Sequence, residues 1–89
     1  MSTSITAHAL AITVRVPDGE VASVHAAPER PLEGIFDEVR GQLHLVVPAN
    51  VIVLFAFAGA EYGLERRLGD IPNLKSGDEL TVIYRTRSG

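Results

Sequence analysis

The sequence predicts an α+β domain in which one mixed sheet packs on a single amphipathic helix, in the order β–β–α–β–β–β. Three observations carry this. Apolar residues alternate with a period of two from Leu10 to Val16 and again from Leu80 to Tyr84. Between Leu32 and Leu43 the apolar positions fall at helical spacing, and Val51 to Ala58 is apolar without a break. A period of two marks a half-buried strand and a period near 3.6 a one-sided helix. One helix crossing one sheet is the simplest arrangement that buries all these faces.

In the first strand Leu10, Ile12, Val14 and Val16 share a face, with Thr13 and Arg15 on the other. Pro17-Asp18-Gly19 then supplies a fixed φ, a side-chain acceptor and a residue free to take positive φ, the chemistry of a turn between strands. From Glu20 to Ala27, alternation sets Ala22, Val24 and Ala26 against Val21, Ser23 and His25. Pro28 and Pro31 end that strand because they deny a ladder two donors, and Pro31 suits the first turn of a helix. Leu32, Ile35, Phe36, Val39 and Leu43 form the apolar stripe of that helix, with Glu33, Asp37, Glu38, Arg40 and Gln42 on its wet side. Pro48-Ala49-Asn50 breaks the chain before the apolar run, which reads as a central strand. Gly59 to Gly63 reads as a turn and Leu64 to Leu68 as a short strand or its remnant. Gly69 to Asp78 is a loop anchored inward by Ile71 and Leu74, and the last strand begins at Glu79. Ile35, Phe36, Val39, Val14, Leu80 and Val82 are the expected core.

The 89 residues make one domain, with residues 10–85 folded between a flexible extension at 1–9 and a flexible tail at 86–89. A domain of this size buries roughly 60–65% of its unfolded surface, so its core is thin. With no Trp, three Phe and two Tyr, that core is built mainly of aliphatic residues. No Cys is present, which excludes disulfides, thiolate metal sites and a cysteine nucleophile. The formal charge of −3 gives no overall attraction to nucleic acid or an anionic membrane. The run from Val51 to Ala58 is far shorter than the ~20 residues that span a bilayer. The N-terminal Met-Ser-Thr-Ser-Ile-Thr-Ala-His lacks the charged start and apolar centre of a signal peptide, so a cytoplasmic location is expected.

With these elements in order, the chain resembles ubiquitin and its relatives over nearly its whole length after residue 9. Gly19 falls at the first hairpin and Pro28 before the helix. Phe57-Ala58-Gly59 stands where ubiquitin has the same three residues, and Leu68-Gly69-Asp70 resembles its Leu-Ser-Asp. Leu80 to Gly89 aligns without gaps on ubiquitin's last strand and its Arg-Leu-Arg-Gly-Gly tail. The resemblance implies a ubiquitin-like β-grasp fold and a protein modifier conjugated through Gly89. Composition rich in Ala and Arg with one Lys suggests a bacterial setting. Three departures accompany it: Ser88 replaces a glycine, Lys75 is the only lysine, and about two residues are inserted near Gly63.

The implied partners are an activating (E1-like) enzyme, a conjugating (E2-like) enzyme, a processing protease and a protein acceptor, met by a monomer. A C-terminal glycine carboxylate is slender enough to thread a narrow channel. Arg85 and Arg87 would engage acidic surfaces through planar guanidinium groups, next to Ser88. The alternative for both arginines is that they keep the last strand soluble. Ile83, with Leu54 and Ala56 on the neighbouring strand, would form an outward apolar patch, shallow at Ala56; scattered surface apolar residues are the alternative. His8, His25 and His44 are too far apart in sequence for a helical metal site, and no cofactor or enzymatic constellation is expected. Two other readings stand beside the modifier. One is a noncovalent interaction module like the ubiquitin-like accessory proteins of secretion systems. The other is a sulfur carrier, which Ser88 disfavours.

Overall fold

The computed structural model describes residues 9–87; Ser88, Gly89 and residues 1–8, with His8, lie outside them. The strands are β1 (Leu10–Arg15), β2 (Val21–Ala26), β3 (Val51–Phe57), β4 (Ala60–Gly63) and β5 (Glu79–Thr86), and the helix α1 spans Leu32–Leu43. They form one five-stranded sheet in the order β2-β1-β5-β3-β4. β1 and β5 run parallel, and the other pairs are antiparallel, so the sheet is mixed as expected. β5 holds the middle of the sheet, while β3, expected to be central, sits between β5 and β4.

The period-two strands put their expected faces inward. Ile12, Val14, Ala22, Val24, Ala26, Leu80 and Val82 are all buried. Against them α1 packs Leu32, Ile35, Phe36 and Val39, and Phe36 meets Phe55 edge-on at 6.4 Å and 89°. Every residue expected in the core is buried. Ile71 is buried too, and Leu74 packs against the core.

The first hairpin follows its turn residues. Gly19 has φ 98°, its N–H donates to Val16 O at 2.9 Å, and Asp18 Oδ1 accepts the Glu20 N–H at 2.9 Å.

Two expectations are corrected between Phe57 and Leu68. Gly59 to Gly63 is not a turn: Ala58 (φ 53°) and Gly59 (φ 85°) alone make the reversal, and Ala60–Gly63 pairs with β3 as β4. Two successive left-handed residues match the right-handed twist of the flanking strands. Alanine hides this signal, because a Cβ disfavours that region by about 1–2 kcal/mol. Ala58→Gly is therefore expected to raise stability by roughly 0.5–1 kcal/mol, read as a higher urea midpoint with an unchanged slope.

Nor is Leu64 to Leu68 a strand. Leu64 O accepts the Glu33 N–H at 3.1 Å, and Arg66 O accepts the Leu32 N–H at 2.8 Å. The segment thus satisfies the orphan donors at the start of α1, which carries no side-chain cap. Pro31 lies just outside the first turn, as the N-cap in extended backbone (φ −64°, ψ 147°), and bridges to Arg67. Beyond this, Leu68–Asp70 forms one 3-10 turn, and the Gly69 N–H donates to Pro28 O at 2.7 Å.

β5 also runs further than residue 85. Thr86 pairs with Val51, and the Arg87 N–H donates to Asn50 O at 3.0 Å. Thr86, assigned from sequence to the tail, is held by backbone pairing and needs no apolar anchor.

Candidate functional site

Alternation along β3 and β5 fixes what the outer sheet face presents. With Phe55, Leu80 and Val82 buried, the residues between them point away from α1. These are Ile52, Leu54 and Ala56 on β3, directly opposite Arg85, Ile83 and Thr81 on β5. The structure therefore brings Leu54, Ala56 and Ile83 onto one surface beside Arg85. Leu54 and Ile83 form a cross-strand pair, and both are half-buried. Ile52 extends the patch at 42% exposure, a member the sequence reading missed. Its place in the β-branched run of β3 could have shown it, had the alternation been carried one step back.

Arg85 is not a free cation. Its Nε donates to Glu61 Oε1 at 3.2 Å, and Nη2 pairs with Glu61 Oε2. Glu61 lies on β4 opposite Ala56, so this ion pair spans β3 on the side that carries Leu54. Both side chains are substantially exposed, so the pair contributes at most about 0.2–1 kcal/mol. A partner carboxylate could exchange with Glu61 at small cost. No sequence signal reveals this contact, because it depends on the register of three strands. A second ion pair, Arg15 Nε to Glu79 Oε2 at 2.8 Å, lies across β1 and β5 on the same face.

Arg87 is exposed where β5 leaves the sheet and borders a groove along Val51, Ile52 and Leu54 that ends at Glu65. Ser88 and Gly89 lie outside the described residues. His25 occupies the outer face of β2, and His44 ends α1 with left-handed backbone (φ 51°). Among the described residues, no group of three His, Asp or Glu is arranged to hold a metal ion. No helix among them is long and apolar enough to cross a membrane.

Tyr84, one residue before Arg85, faces inward. Its hydroxyl oxygen is buried and has no partner among the described residues. Burial raises its pKa above 10.0, Asp18 raises it further, and Arg40 opposes them. The neutral phenol is thus favoured more in the folded than in the unfolded chain. That preference costs no stability below pH 10 and is lost as pH rises through the folded pKa. Tyr84→Phe removes an unpaired buried hydroxyl, so stability at neutral pH should rise by about 1 kcal/mol. The decline in midpoint above pH 10 should become shallower in the same variant.

No family model matches the chain, and neither does any curated protein. Solved structures do. A de novo designed protein based on ubiquitin superposes with a TM-score of 0.70 at 26% identity, covering 91% of this chain and 93% of its own. A chain described under molecular mimicry of SUMO promoting DNA repair gives a TM-score of 0.69 at 9% identity, covering 84% of this chain and 90% of its own. With the strand order, the single helix and these likenesses together, the chain has the ubiquitin-like β-grasp fold.

Proposed function

We propose that the chain is a ubiquitin-like protein modifier, joined to acceptor proteins through the Gly89 carboxyl and read by partners on the outer face of its sheet. It works by recognition and transfer, with no catalysis of its own. The course of β5 carries this reading. Ile83 and Arg85 project beside Leu54 on the outer face, and the strand ends at Thr86, with Arg87 following it two residues before Gly89. An activating enzyme would read the arginines and patch while the last residues enter its nucleotide site. The Gly89 carboxylate would attack the α-phosphorus of ATP and release pyrophosphate. A thiol of the activating enzyme would displace AMP from the adenylate to form a thioester, and a conjugating enzyme would receive the acyl group from it by thiol exchange, in the cytoplasm.

A second reading, a noncovalent interaction module, is favoured by two observations. Arg85 is already paired with Glu61, and Ser88 stands where a glycine is expected. One experiment separates them. With the cognate activating enzyme and ATP, the modifier should form a Gly89 adenylate, and deletion of Ser88 and Gly89 should abolish it. Leu54→Glu and Ile83→Glu, at half-exposed positions, should stay folded and weaken enzyme binding by tenfold or so. Partner binding that survives the deletion but fails in Leu54→Glu, with no adenylate from the full chain, would select the noncovalent module.

A further inference from the structure

The helix side of the molecule carries an apolar groove that none of the outer-face chemistry uses. Its volume is about 490 Å³, and Phe36, Val53 and Leu64 lie along it. Glu33, Asp37 and Arg40 border it from α1, at i, i+4 and i+7, and so form one stripe of the helix. Val46 borders it as well, from the connection between α1 and β3. In that connection Leu45 and Val47 pack against the core, while Val46 between them stands out at 86% exposure. A wholly exposed valine beside an open apolar groove is a knob next to a hole.

The charges on the rim carry both signs. Glu33 makes no ion pair or hydrogen bond among the described side chains, and Arg40 has only a long contact, 3.9 Å from Nη1 to Asp37 Oδ1. Glu33 lies near the start of the helix and Arg40 near its end, and Arg40 and Val46 both border the groove. A surface with opposite charges at its two ends and a knob at one end is complementary to itself under a two-fold rotation. The rotation brings each Arg40 to the other copy's Glu33, and each Val46 to the Leu64 end of the other groove. Its axis passes beside Asp37, so the two Asp37 carboxylates approach each other there and offset part of the gain from the two ion pairs. A contact of this kind closes after two copies.

We infer that this groove is a self-association surface, in which two copies of the chain pair with α1 antiparallel, Val46 seated in the facing groove and Glu33 paired with Arg40. The outer sheet face stays free, so the pairing goes beyond the modifier reading and stands or falls without it. The small apolar area makes the dimer weak, with a Kd of roughly 10–1000 μM. The monomer expected from the sequence is its dilute form.

Sedimentation velocity from micromolar to millimolar protein tests this. The wild-type chain should sediment faster as concentration rises. Val46→Glu and Glu33→Arg should each weaken association by roughly tenfold or more, one by burying a charge and the other by opposing Arg40 with a like charge. Both positions are exposed, so Val46→Glu should melt like the wild type. Glu33→Arg, which removes the acid from the first turn of α1, should stay folded with a melt lowered by only a few degrees. The double variant Glu33→Arg with Arg40→Glu swaps the pair and should recover most of the association. A wild-type chain that stays monomeric to about 1 mM, or association untouched by both single variants, would overturn the inference.

Discussion

Val39→Asp is expected to abolish cooperative folding. Val39 is fully buried on the inward stripe of α1, among Ile35, Phe36 and the sheet residues that the helix covers. Among the described residues, no polar or charged residue is fully buried in that core to receive a carboxylate. An ion there loses several kcal/mol of hydration that no partner returns. Protonation would limit the penalty, yet the carboxylic acid would still leave its hydrogen bonds unmade. With the valine's packing also lost, the sum reaches the ~5–15 kcal/mol that typical domains possess. Circular dichroism should show no two-state thermal transition, and amide spectra should lose their dispersion. A native-like Val39→Asp protein would refute the packing of α1 on the sheet.

Phe55→Ala should keep the fold but remove much of its stability. Phe55 is fully buried on β3, and its ring meets Phe36 edge-on at 6.4 Å. Truncating a buried phenylalanine costs about 3–5 kcal/mol, because the neighbours collapse only partly into the cavity. A loss of that size lowers Tm by roughly 12 °C or more in a domain of this length. Phe55→Leu, which refills most of the volume, should cost clearly less. Equal losses in both variants would mean that ring packing contributes little at this position.

The elements most legible in the sequence were those whose periodicity is local. The alternations in β1, β2 and β5 and the stripe from Leu32 to Leu43 each depend on neighbours within one element. They located the α1 boundaries and the principal core. What stayed hidden depends on partners distant in the chain. Leu64 and Leu68 bracket polar residues as a strand would, but the carbonyls between Leu64 and Arg66 serve the start of α1. Ala58 gives no turn signal, since alanine rarely adopts the left-handed backbone that the β3–β4 reversal imposes on it.

The candidate site divides in the same way. Ile83 could be assigned outward from the alternation in β5, whereas Leu54 and Ala56 lie in a run apolar on both faces and are placed outward only through the resemblance to ubiquitin. The register of β3 with β5 sets the three together. The Arg85–Glu61 pair and the groove beside Val46 needed the three-dimensional arrangement. Neither is encoded in spacing along the chain.

A protein modifier of this kind must become bonded to other proteins through Gly89. Trypsin cleaves after arginine, so a conjugate digested to completion would be cut after Arg87 and leave Ser88-Gly89 on the acceptor. Tandem mass spectrometry of tryptic digests from the native host therefore reads the linkage directly. The expected result is peptides with a missed lysine cleavage, each carrying a Ser-Gly remnant in amide linkage to that lysine, and their loss when Ser88 and Gly89 are deleted from the chain. Digests in which the chain's other tryptic peptides are abundant, with no Ser-Gly remnant on any acceptor while the cognate activating enzyme is present, would contradict the modifier reading.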